Sequence, residues 1–211
     1  DKAFWYVMKN TDKIDVLINN AGIVTAGALE YLPVGAIKEQ FNVNTFGPLA
    51  VTQKFMPLLH DAKVINISSM AATGIFPYIS PYCDSKRAME ILLNSLYLEN
   101  KDNIKMIFVR PAAVKTPIWN KSVKYATENF EESNDVIRNK YQKDFAVLSD
   151  NAVKNNKAGI ETYVVVDKII EIINRDNPKT FYNIGAQAFW ADMLSKCSQS
   201  FVNKIVKFRL N

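Results

Sequence analysis

The chain has 211 residues, 48% hydrophobic and 22% charged, with a net charge of +5 spread along its length. That is a globular composition, long enough for one well-filled core, with no repeat and no dense basic run of the kind that holds nucleic acid. A single histidine, His60, which reads as a helix-end side chain before a strand, argues against metal catalysis and a serine–histidine triad. Two cysteines, Cys83 and Cys197, give neither a disulfide framework nor a C-x-x-C ligand pair, so a reducing, cytoplasmic compartment is expected. No apolar run reaches bilayer-spanning length, and no signal-peptide pattern stands at the start.

In chain order, "VLINN" (16–20) reads as a strand, and residues 34–60 as one or two helices with Phe41, Phe46, Leu49, Phe55 and Leu58 among the apolar positions. "KVINIS" (63–68) is a second strand. Residues 82–99 form a helix with Met89, Leu92, Leu93 and Leu96 at helical spacing, and "KMIFVRP" (105–111) is a third strand. A long polar excursion (116–160), a helix in "VVVDKIIEIIN", a strand in "TFYNIG" (180–185) and a last helix from about Gln187 complete the chain. None of the four strands alternates apolar with polar residues, which is the pattern of strands covered on both faces of a parallel sheet. Strand–helix alternation of this kind predicts an α/β fold with helices on both faces. Ligands in such sheets bind beyond the carboxyl ends of the strands. There the sequence places "NNAG", "SSM" and "PAAVKT".

Two Tyr-x-x-x-Lys pairs occur, Tyr82–Lys86 and Tyr97–Lys101, and chance alone would supply such a pair. Surroundings separate them. Tyr82 opens its helix just after Pro81, and thirteen residues before it Ser69 directly follows a strand; thirteen before Tyr97 lies Asp84, inside a helix. Lys101 reads as a solvated helix end. On a helix, residues four apart share a face, so the Lys86 ammonium can approach the Tyr82 phenol and lower its pKa toward a useful range. A serine hydroxyl nearby can bind a substrate oxygen. Together these form a proton-transfer site for a carbonyl–alcohol interconversion, which also needs a hydride source.

"NNAG" (19–22), "NVNTFG" (42–47), "ISS" (67–69), "PYCDSK" (81–86) and "VRPAAVKT" (109–116) resemble, in order and spacing, the short-chain dehydrogenase/reductases over residues 1 to about 185. The resemblance implies a Rossmann-like, doubly wound parallel sheet, of which residues 1–211 are a single partial domain holding the second half, about four strands. It implies an NAD- or NADP-dependent oxidoreductase with Tyr82 as general acid/base. Lys86 would bind the nicotinamide ribose and lower the tyrosine pKa, Ser69 would orient the substrate oxygen, and Asn44 would hold a water in the proton relay. Asn20, Ala21 and Gly22 would line the cofactor near its adenosine side, and Val114 and Thr116 its nicotinamide end. Plainer roles stand beside these. The asparagine pair can be buried structure, Ser68 a strand-end backbone contact, Asn44 a satisfied buried polar residue, and Thr116 a helix N-cap before Pro117.

The sequence departs from the family pattern twice. Pro111-Ala112 stands where the family usually has Pro-Gly, so a methyl either crowds the nicotinamide or shifts the loop. No Gly-x-x-x-Gly-x-Gly occurs among the seven glycines. The resemblance therefore implies that the family's first three strands and its phosphate-binding turn are not in this chain. It also implies that the strand at 16–20 is an edge open to pairing, and that residues 1–211 alone neither grip a nicotinamide cofactor nor turn over.

Residues 116–160 would form the substrate lid. Ile118, Trp119, Tyr125, Phe130, Tyr141 and Phe145 lie in it, most of them as ordinary packing. "TFYNIGAQA" and the helical tail at 187–211 resemble members acting on apolar alcohols and ketones. A homo-oligomer is the expected assembly. The rival readings are an inactive fragment or non-catalytic binding protein of the same fold, and a protein that touches a membrane through residues 200–211. There Phe201, Val202, Ile205 and Phe208 interleave with Lys204, Lys207 and Arg209.

Overall fold

The structure, a computed structural model, describes residues 2–100 and 104–210. Four parallel strands, β1 (Val16–Asn19), β2 (Lys63–Ile67), β3 (Lys105–Pro111) and β4 (Phe181–Ile184), lie side by side in chain order. Val16 pairs with Lys63, Lys63 with Lys105, and Phe108 with Phe181. The unbroken apolar runs are explained by two cores. Val64, Met106 and Phe108 point into one and Ile65, Ile107 and Val109 into the other, so successive residues feed opposite faces. β2 and β3 are largely buried, whereas β1 and β4, with one neighbour each, are partly exposed.

The first core is closed by α3 (Gly47–Phe55) and α4 (Ser80–Glu99) through Leu49, Phe55, Met89 and Leu93. The second is closed by α7 (Thr162–Ile173) through Val165 and Ile172. Helices thus cover both faces, as the alternation predicts. A short helix, α1 (Lys2–Met8), precedes β1.

The helical stretch at 34–60 is not one rod. α2 (Val34–Phe41) runs into a π-helical turn, Asn42–Phe46, before α3, and a 3-10 turn at Met56–Leu58 ends it. Pro48 has no N–H to give one turn back, and Gly47 donates instead to Asn42, five residues earlier. The excursion at 116–160 forms an antiparallel pair, α5 (Ile118–Glu131) and α6 (Asp135–Ala158). The expected last helix is two, α8 (Ala186–Leu194) and α9 (Gln199–Leu210). The break falls at Ser195–Ser198. There the Ser195 hydroxyl donates to the Asp192 carbonyl, and the Ser198 carbonyl starts α9 by accepting from Phe201 and Val202.

Candidate active site

Beyond the carboxyl ends of β1, β2 and β3 lies a cleft of about 790 Å³. The β1 turn contributes Asn20, Ala21 and Gly22 to its wall, and the β2 turn Ser69. Tyr82 and Lys86 enter from α4, and Val114 and Thr116 from the segment after β3. Eight of the nine residues singled out in the sequence therefore share one cavity, with Asn44 behind its wall. α5 and α6 face the cleft with Ile118, Trp119, Leu148 and Ala152, so the lining is mainly apolar.

Ser69, two residues past the end of β2, is extended and caps the 3-10 turn at Met70–Thr73, its hydroxyl accepting from the Ala71 N–H at 3.1 Å. Burial pushes the Tyr82 phenol up to about 12, and Ser69 acts on it as a hydrogen-bonding neighbour that lowers its pKa. The expected lowering by Lys86 is thus not what this structure gives. Desolvation of the ring dominates, and the Lys86 ammonium donates 2.8 Å to the Ile67 carbonyl. Lys86 is itself buried, which brings it down to about 8, opposed by the nearby Glu90 carboxylate.

Gly22 explains how the β1 turn comes so close. A Cβ built there would lie 3.3 Å from the Lys86 Nζ and 3.4 Å from the Asn44 Oδ1. Asn44 sits fully buried in the π turn. Its Oδ1 accepts from the Ile23 N–H at 2.8 Å, and its Nδ2 donates to the Ile23 carbonyl at 2.9 Å and to Ser85 Oγ at 3.0 Å. It behaves as a satisfied buried amide that fixes the chain beside Gly22. Of the asparagine pair, Asn19 is buried structure, donating to Asn66 at 2.8 Å and to Thr52 at 3.1 Å, while Asn20 faces the cleft. Thr116 does not cap α5, which begins after Pro117 without a side-chain cap. The competing Tyr97 packs against the first core, and Lys101 lies outside the described residues.

Ser68 does more than pair its backbone with Val109. Its hydroxyl donates 2.7 Å to Glu90, one helical turn beyond Lys86. Glu90 in turn accepts two hydrogen bonds of 2.8 Å from Arg110, whose third contact is Asp192 at 3.0 Å. Arg110 also lies 4.2 Å over the Phe181 ring. This buried chain ties α4, β3 and α8 together behind the cleft, and sequence reasoning missed it. A lone arginine inside the apolar run "KMIFVRP" was its one signal, since a buried charge needs a partner.

The Ala112 methyl settles against the turn after β4. A Cβ on Gly185, whose φ is +91°, would come within 3.0 Å of it. The aromatic residues of the excursion divide. Trp119 lines the cleft and donates to the Val114 carbonyl at 2.8 Å, whereas Phe130 and Phe145 stack at 4.4 Å and Tyr31 packs on Phe130 and Tyr141. Lys140 and Tyr141 hydrogen-bond Glu30 at 2.6 and 2.5 Å.

Residues 1–126 match the family model for short chain dehydrogenase. Among curated proteins the chain is 30% identical to the NADPH-dependent 3-dehydrocapnine reductase of Ornithobacterium rhinotracheale, over 86% of this chain and 65% of that protein. It is also 30% identical to the mitochondrial D-beta-hydroxybutyrate dehydrogenase of Rattus norvegicus, over 84% of this chain and 54% of that one. It thus spans less than two thirds of these relatives' length. The crystal structure of a short-chain dehydrogenase from Streptomyces avermitilis superimposes with a TM-score of 0.73 at 20% identity, covering 99% of this chain and 73% of its own, a likeness of fold. Motifs, sheet and matched residues agree: the chain belongs to the short-chain dehydrogenase/reductase family.

Proposed function

We propose that this chain carries the catalytic half of an NAD- or NADP-dependent oxidoreductase that interconverts an alcohol and a carbonyl on an apolar small molecule. One observation carries the reading. Ser69, Tyr82 and Lys86 stand together on the wall of one mainly apolar cleft, beyond the carboxyl ends of the strands. The residues fit a nicotinamide. Gly22 leaves the space a side chain would fill beside the Lys86 ammonium, so Lys86 and Asn20 to Gly22 would hold the cofactor, with Val114 and Thr116 toward its ring. When bound, it supplies or accepts the hydride.

The chain's own groups handle the proton. The Tyr82 phenol carries a proton at neutral pH and gives it to a carbonyl oxygen in reduction; the burial that pushes its pKa up makes it a weaker acid, so that shift itself supplies no catalytic push. Ser69 holds that oxygen by hydrogen bonding. Asn44 has one Oδ1 lone pair left for a relay water and fixes the Ile23 backbone. The α5–α6 pair acts as the lid over the apolar part of the substrate. A small alcohol or ketone, a second copy of the chain and a membrane surface at residues 200–211 complete the proposed partners, in a cytoplasmic setting. The alternative, an inactive fragment or binding protein of the same fold, gains nothing from Ser69, Tyr82 and Lys86 sharing one wall.

The test is ketone-dependent oxidation of NADH and NADPH by the protein carrying this segment. Tyr82→Phe is expected to lower turnover by about 10²–10⁴-fold while cofactor affinity, read by fluorescence titration, stays nearly unchanged. Substantial activity in Tyr82→Phe, or an equal loss in Tyr97→Phe, would overturn the assignment.

A further inference from the structure

α8 buries one side and leaves the other bare. Ala188 on its inner side is fully buried, and Asp192 is bonded to Arg110. Phe189, Trp190, Met193 and Leu194 project outward with exposures of 54, 64, 45 and 39%. The Asp192–Arg110 contact fixes the roll of the helix, so this apolar face cannot turn inward. Phe189 and Trp190 meet edge to face, 5.7 Å between ring centres, and present a rigid aromatic pair. The neighbouring α9 adds Phe201 and Phe208, 51 and 85% exposed, while its Val202, Ile205 and Val206 are partly covered.

After Asp192 the charge carried by this part of the sequence has one sign. From Met193 to the end of the chain the sequence has no Asp or Glu but four basic residues, Lys196, Lys204, Lys207 and Arg209. Lys196 is drawn to Asp192 at 3.3 Å. Among the described residues, neither Lys204 nor Lys207 has an ion-pair partner. The Arg209 side chain lies outside the described residues. A second copy docking this face on itself would bring two basic tails together, which like-charge repulsion opposes. On α9 the helical spacing puts Phe201, Lys204 and Phe208 on one exposed face, and apolar rings interleaved with lysines match a surface with an apolar interior and anionic heads.

We infer that the outer face of α8, together with α9, seats on a lipid bilayer carrying anionic headgroups, the aromatic residues entering the acyl boundary and the lysines meeting the headgroups. This deepens the membrane contact proposed for residues 200–211 by moving its apolar seat onto α8. Its mode is interfacial, and among the described residues no helix is long and apolar enough to cross a membrane. It is independent of the oxidoreductase reading, because the test below needs no turnover.

The test is co-flotation of the protein carrying this segment with vesicles of phosphatidylcholine alone and of phosphatidylcholine with phosphatidylserine, at low and high salt. Flotation with the anionic vesicles, reversed by salt, is expected. Lys204→Gln with Lys207→Gln should weaken partitioning by roughly tenfold or more, and Phe189→Ser with Trp190→Ser by at least about tenfold. Circular dichroism checks that these exposed substitutions leave the fold intact. A purely structural surface would leave partitioning unmoved in both double variants. Failure to float, or equal flotation with both vesicle types that ignores the lysine changes, overturns the inference. So does self-association in solution that Trp190→Ser abolishes without any flotation of the parent chain, since a second copy then covers the face. An acidic protein partner that binds while anionic vesicles do not overturns it equally.

Discussion

α4 and α6 are long helices, 20 and 24 residues, that border the same cleft and are held in opposite ways. α4 buries seven of its side chains, Lys86 and Glu90 among them, between the sheet and the π turn. α6 buries none. It is kept in place by rings stacked between it, α5 and Tyr31, by exposed contacts to Glu30, and by the way its chain re-enters the body at Gly159. One wall of the site is thus part of the core, and the other is an attached cover. On the proposed function this division has a use: proton transfer would need the fixed geometry that burial supplies, and entry of an apolar molecule a side that buries little.

The comparison breaks most severely at Glu90. Glu90→Ala leaves the Arg110 guanidinium buried without its bidentate partner and deprives the Ser68 hydroxyl of its acceptor. A destabilisation of about 3–5 kcal/mol is expected in urea unfolding. A loss below about 1 kcal/mol would show that the network does not anchor the α4 wall.

On the cover side the sensitive point is a glycine. Ile160 donates to the Ala113 carbonyl at 2.8 Å and accepts from the Lys115 N–H at 3.0 Å, and the Thr162 hydroxyl donates to the Lys115 carbonyl at 3.1 Å, so the end of α6 rejoins the chain after β3. A Cβ on the preceding Gly159 would lie 2.7 Å from the Asn155 carbonyl oxygen and 2.9 Å from that of Ala113. Gly159→Ala is expected to cost about 1–3 kcal/mol and to alter the emission of Trp119 as α5 and α6 shift. Gly35→Ala, in α2 with open space around it, is the control and should stabilise by roughly 0.5–1 kcal/mol. Equal effects at the two glycines would remove the argument.

The smallest effect sharpens the buried side. Lys86 titrates near 8 when folded and near 10.5 when unfolded. Between these values the unfolded chain binds more protons, so stability rises with pH. From pH 7 to 9 the gain is about 1 kcal/mol. The Cys83 thiol, pushed up from 9 to about 11 by burial, acts in the opposite direction above pH 9. The parent is therefore compared with Lys86→Met over the lower range, where the variant should lose the rise. An unchanged pH slope in Lys86→Met would mean that the ammonium is not held out of water.

The elements were legible because their signals are local: four strands and the helices between them follow from apolar runs and spacing, and each observed strand falls inside its expected span. That Ser69, Tyr82 and Lys86 share one cleft was legible because one pair of two sits thirteen residues after a strand-end serine. What stayed hidden depends on partners distant in sequence. Arg110 meets Glu90 and Asp192 across 20 and 82 residues, and no periodicity reports that. The direction of the Tyr82 shift was missed for a related reason. Helical spacing announces a neighbouring lysine, but the burial that sets the direction comes from the packed surroundings.

A helix that buries nothing also marks where the chain's continuity matters least. β4 pairs with β3, and the Arg110–Asp192 contact fastens α8 to the same strand, so both bonds join the part of the chain before α6 to the part after it. Cut within α6, the two pieces would still be stitched by a shared sheet and a buried ion pair. The polypeptide could therefore be nicked, circularly rearranged or lengthened there while the α4 wall of the cleft stays assembled. The link over the cleft behaves as a strap, and the sheet as the seam that holds the molecule closed.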